Sequence, residues 1–431
     1  MTGKRRLAGT LALVVALCLF LAGGVVAEEA PVRIFSAWTH ETINDPAFSV
    51  LKEAAEAFNR NQTVYRVELF PSINIGYEER LRSGAATGTL PCLLEFDGPY
   101  LPALAWRGYL QPIGRFVPRE LMEDLLPSII TEGTYDDHLY SLGQFESGLG
   151  LWGNRRYLAA ADLRIPSVDA PWSLGEFEQA LQRLSALDGV EYALDLGIYI
   201  GVSEYYPYAY APILQGFGGD LVDRGHYWSA KGVIDGPRSV VAMKHFQHWI
   251  EAGWSRAVVD RSDDFIRGKT ALSWGGHWQY PKYVKALGKD LMLMPLPDFG
   301  HGIKTGMGSY SWGISSTCHD PAGAWAFLSY LLSPDEILRM SIANGAIPAR
   351  RSVLVRSPLY GGDGPLRIFA QQLSLRFGVP RPTTPAYPAI HSAFSKAMNA
   401  IIAGNDVQSE LTKAAEAIDQ DIAANHGYPA H

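Results

Sequence analysis

The sequence predicts an α/β protein built from two domains, and three observations point there. At 431 residues the chain exceeds the size at which one hydrophobic core keeps growing. Its first third alternates short strand-like apolar runs with stretches of helical period. Its composition, 47% hydrophobic and 19% charged, belongs to globular proteins rather than to disordered chains.

The N-terminus carries an export pattern. Lys4, Arg5 and Arg6 form a positive region, an apolar run follows from Leu7 to Leu21, and Val25 and Ala27 supply small residues at −3 and −1 of a cleavage site. This predicts a signal peptide over residues 1–27, cleaved after Ala27, and export to the periplasm. A retained anchor is the alternative, because the run approaches the roughly 20 residues that span a bilayer. The small-residue end and the acidic Glu28-Glu29 favour cleavage. Leu17 is too bulky a neighbour for a lipid-modified Cys18, and no second apolar run has spanning length.

The net charge is −7 and becomes more negative once the signal's cations leave. With no dense Lys/Arg cluster elsewhere, nucleic acid and anionic membranes are excluded as partners. Cys92 and Cys318 remain after cleavage. In an oxidising compartment they form either a disulfide or two buried thiols, and a lone pair has no spacing code that decides.

The elements follow in order. Val32, Ile34 and Phe35-Ser36-Ala37-Trp38 read as a buried strand. Val50, Leu51, Ala54, Ala55 and Phe58 give 47–60 a helical face. Val67 and Leu69 mark a second strand, 77–83 a helix, and 92–96 a third strand. Strands separated by helices imply parallel βαβ units, whose ligands bind beyond the carboxyl ends of the strands. Trp38 and Asp97 stand at those ends.

Further on, Ser173 and Glu176 form a capping box, and Gly218-Gly219-Asp220 a turn after an aromatic helix. Asp320-Pro321 is an N-cap and N1 pair, and Ser333-Pro334-Asp335-Glu336 a second capping box. Phe394, Met398, Ile401 and Ile402 form one apolar stripe, and Val407, Leu411, Ala415, Ile418 and Ile422 another. Both predict packing faces.

The search for catalytic motifs is negative. His40-Glu41 lacks the second His of a zinc-protease helix. Arg267-Gly268-Lys269-Thr270 ends like a phosphate loop, but Asp263 stands where the first Gly should be. There is no G-x-S-x-G, no C-x-x-C and no metal-ligand spacing among the histidines. No cofactor and no metal are expected.

Three clusters mix aromatics with turn glycines and polar groups: Ser203-Glu204-Tyr205-Tyr206-Pro207-Tyr208, Trp274-Gly275-Gly276-His277-Trp278-Gln279-Tyr280, and Met307-Gly308-Ser309-Tyr310-Ser311-Trp312. A pyranose packs its C–H face on such rings. Its hydroxyls need partners once buried, and charged groups make the stronger bonds. Core packing is the alternative for any one cluster alone.

In order and spacing the chain resembles the extracellular solute-binding proteins of family 1, the maltose-binding-like receptors of ABC importers. The resemblance runs over nearly the whole chain after the signal. It is carried by Ala57-Phe58-Asn59, Leu94-Glu95-Phe96-Asp97-Gly98-Pro99, Phe145-Glu146-Ser147-Gly148-Leu149, Gly218-Gly219-Asp220-Leu221, Trp274-Gly275-Gly276-His277-Trp278, Pro295-Leu296-Pro297, the run from Ser311 to Leu328, and Gly345-Ala346-Ile347-Pro348-Ala349-Arg350.

The resemblance implies a two-lobed type II periplasmic binding protein fold, each lobe a mostly parallel sheet flanked by helices. Residues 28–145 and 309–347 would form the N-terminal lobe, and 146–308 and 348–431 the C-terminal lobe. Crossings would fall near 144–147, 305–311 and 346–352, with hinge closure on the ligand. Carried over residue by residue, the ligand site would comprise Trp38, Asp97, Glu146, Glu204, Tyr206, Trp278, Gly308, Ser309, Tyr310, Arg350 and Arg381, with Tyr100 a weaker candidate. The chain lacks the charged residues that follow the first strand of the maltose receptor, so maltose is one sugar among several.

The function implied is a periplasmic receptor, not an enzyme, that binds a mono-, di- or short oligosaccharide or polyol. It would be a monomer and deliver the ligand to inner-membrane permease subunits. Alternatives are glycerol-phosphate or another polar solute, for which only Arg350 and Arg381 are suitably placed, a sensory subunit, or an exported glycosidase using Asp97, Glu146 and Glu204.

Overall fold

A computed structural model describes residues 32–72, 76–198, 201–257 and 263–429. The expected signal peptide lies outside the described residues. Two sheets organise the chain. The first is five-stranded, in the order β2-β1-β3-β13-β6. Its strands are β1 (Arg33–Thr42), β2 (Tyr65–Ser72), β3 (Leu93–Asp97), β6 (Ser141–Leu142) and β13 (Tyr310–Ile314).

β1 pairs in parallel with both β2 and β3, as the βαβ reading requires. The helix Pro46–Asn61 makes the first crossover and buries Leu51, Ala54, Ala55 and Phe58. β13 returns from a distant part of the chain and runs antiparallel to β3 and β6.

The second sheet is four-stranded, in the order β11-β8-β10-β9. It comprises β8 (Leu149–Asn154), β9 (Tyr192–Asp195), β10 (Thr270–Gly276) and β11 (Leu291–Met294). Only β9 and β10 are parallel; β8 opposes both β10 and β11. Both sheets are therefore mixed where mostly parallel ones were expected. A strand entered from the other lobe needs no crossover helix and is free to run antiparallel.

Short strands stitch the rest. β4 (Thr134–Tyr135) and β5 (His138–Leu139) form a hairpin. β7 (Phe145–Glu146) pairs with β14 (Ile347–Pro348), and β12 (Thr305–Met307) with β15 (Gly378–Pro380). The β7–β14 pair joins two of the expected crossings side by side.

The expected caps divide. Ser173 and Glu176 close a full capping box, and the Asp320 side chain accepts from the Gly323 amide. Ser333 makes no side-chain cap, and the Glu336 carboxylate, rather than reaching back to it, accepts from Arg339 Nη1 at 3.0 and 2.8 Å. The stripes of the last two long helices are buried as predicted, except for half-buried Ile402.

Cys92 and Cys318 form a disulfide. They flank the Leu93 and Ile314 ends of the paired β3 and β13, and the Ser315 amide donates to the Cys92 carbonyl at 3.0 Å. The opposite end of the same pair holds Asp97 beside Tyr310.

Candidate functional site: the cleft between the lobes

A cleft of about 710 Å³ opens between the two sheets. β1, β3 and β13 carry His40, Asp97 and Tyr310 into it. Glu204 and Tyr208, at the start of the helix Tyr205–Gly216, face it from the other lobe with Trp278, just after β10. A deep cleft between lobes, lined by rings and a few convergent polar groups, suits a small polar ligand.

Arg381 follows β15 and reaches the first lobe. Its Nη1 and Nη2 donate to the two Asp97 oxygens at 2.8 and 2.7 Å, while Nη1 also donates to Glu204 at 2.7 Å. The Tyr387 hydroxyl donates to the same Glu204 oxygen. Burial pushes the Asp97 carboxyl up to about 6, against the pull of Arg381 and with the push of Glu204. Burial raises Glu204 as well.

The wall behind is tied together by backbone amides. Gly308 N donates to Glu146 Oε1 at 2.6 Å, and Ser309 N to both Glu132 oxygens at 3.1 Å. Gly308 has φ +93°, and a Cβ there would overlap the Glu132 carboxylate, so the turn requires glycine. Burial raises Glu132, and its neighbour Glu146 adds to this.

Two aromatic platforms face the cleft. The His40 and Tyr310 rings stack with centroids 3.2 Å apart and planes 1° apart. His40 Nδ1 lies 2.9 Å from Glu95 and Nε2 3.3 Å from Glu41. Burial alone would lower the imidazole, but Glu95 and Glu41 hold it at about 9, so it is an imidazolium at neutral pH. Opposite, Trp278 is 39% exposed, with Tyr208 at 5.8 Å and His277 edge-on at 5.2 Å. Gly276 makes room for the indole, since a Cβ there would overlap it. Burial lowers His277 to about 4, and its Nδ1 is 2.9 Å from the Asn344 carbonyl.

Among the expected residues, Asp97, Glu204, Trp278, Gly308, Ser309, Tyr310 and Arg381 come together on the cleft wall. Trp38, Glu146, Tyr206 and Arg350 do not line it. Trp38 lies under the Arg80 guanidinium, 3.7 Å from it, against the helix Tyr77–Thr87. Glu146 is fully buried and spends Oε1 on the Ser147 and Gly308 amides. Tyr206 is core, packed on Tyr210 at 5.5 Å. Arg350 is held by Asp124 at 2.6 Å and the Leu332 carbonyl at 3.1 Å. Tyr100 also lies off the wall, its hydroxyl 2.8 Å from His391 Nδ1.

Sequence reasoning missed His40, Glu41, Asp45, Tyr205, Tyr208, His277 and Lys282. Tyr205 and Tyr208 sat within a cluster already singled out. His40 follows Trp38 by the two residues that keep a strand on one face, a signal that was available. Among the described residues, no group of His, Cys, Asp and Glu is arranged to hold a metal.

The fold and its cleft define a two-lobed solute-binding protein of type II. Residues 53–360 match the model of the bacterial extracellular solute-binding protein family, and the chain belongs to that family. It is 21% identical over 368 residues to the maltotriose-binding protein of Pyrococcus abyssi, covering 81% of this chain and 76% of that one. It is 23% identical over 361 residues to an uncharacterized lipoprotein of Streptomyces antibioticus, covering 80% and 77%. Its fold matches the GacH receptor of Streptomyces glaucescens, solved unliganded and with acarbose, at TM-score 0.78 and 18% identity over 91% of this chain and 99% of that one.

Proposed function

We propose that this chain is the substrate-binding protein of a carbohydrate ABC importer. Exported to the periplasm and freed of its signal peptide after Ala27, it takes a mono-, di- or short oligosaccharide or a polyol into the cleft. It then delivers the ligand, as a monomer, to inner-membrane permease subunits. The observation that carries this reading is Trp278: a large indole 39% exposed on a cleft wall, where a sugar's C–H face would cover it. The maltotriose and acarbose named for its relatives support the same ligand class.

The lobes are taken as 28–145 with 309–347, and 146–308 with 348–431, closing about the crossings near 144–147, 305–311 and 346–352. The ligand-contacting set is taken as Asp97, Glu204, Trp278, Gly308, Ser309, Tyr310 and Arg381, joined by His40 and Tyr208. A phosphorylated ligand suits this cleft poorly, because Arg381 is already held by Asp97 and Glu204 and Arg350 is turned away. Hydrolysis is disfavoured on similar grounds: both Asp97 oxygens are committed to Arg381, and Glu146 is walled off.

A thermal-shift screen of sugars, polyols and glycerol phosphate tests the reading, since a ligand that binds only the folded state raises the melting temperature. Carbohydrates should raise it and glycerol phosphate should not. Cleavage of an aryl glycoside, abolished by Glu204→Gln, would contradict a receptor without catalysis. Fractionation of cells and mass spectrometry of the mature N-terminus test export and cleavage after Ala27.

A further inference from the structure

The helix Tyr387–Ile402 carries Tyr387 and His391 one turn apart, and both side chains reach Glu204 from behind the cleft wall. The Tyr387 hydroxyl and Arg381 Nη1 both donate to Glu204 Oε1. Glu204 Oε2 is buried and has no hydrogen-bond partner among the described residues. His391 Nε2 lies 3.7 Å from it and is buried as well. This nitrogen makes no hydrogen bond of ordinary geometry, though the Ser203 carbonyl draws on the ring's proton. Two buried polar atoms left unpaired are unfavourable, and closing the gap by roughly 0.5–1 Å brings them into bonding range.

The other nitrogen of the ring is taken. His391 Nδ1 lies 2.8 Å from the Tyr100 hydroxyl. Tyr100 ends the turn Gly98–Tyr100, which leaves β3 directly after Asp97. One ring therefore stands between the first sheet and the cleft carboxylate. Burial holds this imidazole neutral, at about 4, so a single nitrogen carries the proton. A proton on Nδ1 would leave an Nε2 lone pair against the Glu204 oxygen. A proton on Nε2, with Nδ1 accepting from Tyr100, aims a donor at Oε2 instead.

The ring is held in that place. It lies parallel to Tyr387 at 6.5 Å, and Tyr100 meets both rings edge-on, at 5.4 Å from Tyr387 and 6.1 Å from His391. Trp106, at the end of the helix Leu101–Trp106, extends the same seam. Its Nε1 donates to the Pro429 carbonyl at 2.9 Å, and its ring meets Tyr428 edge-on at 4.9 Å. On the cleft side, Glu204 immediately precedes the helix Tyr205–Gly216, whose Tyr205 and Tyr208 share the wall. A sugar hydroxyl donating to Glu204 competes with Arg381 and Tyr387 for Oε1. A donor on Oε2 keeps the carboxylate fixed and charged while they share it.

We propose that His391 and Tyr100, both outside the cleft, are positioning residues of the ligand site: Tyr100 sets the His391 tautomer, and His391 Nε2–H bonds to Glu204 Oε2 when a sugar occupies the cleft. The inference rests on the carbohydrate reading above and adds two residues that govern affinity without touching the sugar.

The test is calorimetry on the full mature protein with maltotriose, or with the sugar or polyol of the thermal-shift screen that binds more tightly. His391→Phe keeps a flat ring and loses both nitrogens, and should weaken binding roughly tenfold or more. Tyr100→Phe loses one hydroxyl and should weaken it roughly threefold. His391→Gln keeps a donor near the Nε2 position and should bind within about threefold of the wild type. Each variant is checked for an unchanged melting profile. Nitrogen NMR of the wild-type ring should show the Nε2–H tautomer, with its proton signal moving downfield when the same probe is added. That spectrum decides even where a variant fails to fold: an Nδ1–H ring, or a signal that the probe leaves unmoved, would overturn the inference. Wild-type affinity in His391→Phe would overturn it too, and so would His391→Gln binding as weakly as His391→Phe, which would assign the loss to packing. Each of these results leaves the carbohydrate reading intact. No binding of maltotriose or of any sugar or polyol in the screen would defeat that reading, and the inference with it.

Discussion

Arg381 grips Asp97 through both terminal nitrogens, at 2.8 and 2.7 Å, from the segment that follows β15, 284 positions further along the chain. Both side chains are about 5% exposed, and the same guanidinium also holds Glu204. Desolvation of such a group is offset only while every partner stays in place. Arg381→Met should therefore cost about 3–5 kcal/mol of stability, measured by denaturant unfolding. A change under about 0.5 kcal/mol, typical of surface substitutions, would contradict the buried bridge.

His40 sets an alkaline limit. Its folded value of about 9 lies above the ordinary 6.5. The stabilisation is complete below about 6.5 and is lost as pH rises through about 9. Unfolding free energy should fall by up to about 3 kcal/mol across that window, and His40→Gln should flatten the profile. An unchanged profile in the variant would assign the loss to other groups.

Gly276 should matter as much as the indole it accommodates. A methyl group built on its Cα would overlap the Trp278 ring. Gly276→Ala should swing the ring off the wall and weaken ligand binding by about 2–4 kcal/mol, as Trp278→Ala does. Both are read by calorimetry. Unchanged affinity in both variants would remove Trp278 from the site.

The disulfide should act on stability alone. Cys92 and Cys318 close a loop spanning 226 residues at the end of the β3–β13 pair away from Asp97 and Tyr310. Counting thiols in denatured, unreduced protein should find none reactive. Replacing both cysteines by serine should cost about 2–5 kcal/mol with ligand affinity unchanged. A matching loss of affinity would show that the far end of the pair shapes the cleft.

How much of this was legible varies with the physics of each element. The helix Pro46–Asn61 and the two C-terminal stripes were readable, because burial periodicity survives any tertiary context. The aromatic clusters were readable as clusters, but not ring by ring. Trp274 and Trp312 went to the core, while Trp278 and Tyr310 reached the cleft. A strand's alternation separates such rings only once its register is known. Trp38 was read as the end of the first strand, but β1 runs on to Thr42, and His40, nearer that end, is the residue that lines the cleft. Arg350 was preferred for a motif, yet Asp124, 226 positions away in sequence, claims it. Pairings that distant leave no local trace.

The central claim is that a carbohydrate binds against Trp278. Titration of the mature wild-type protein and Trp278→Ala with the best sugar from the thermal-shift screen measures it most directly. The account predicts saturable binding to the wild type and a loss of about 2–4 kcal/mol in the variant, with the fold intact. Equal affinity in the two proteins, or no carbohydrate bound by the wild type at all, would contradict it.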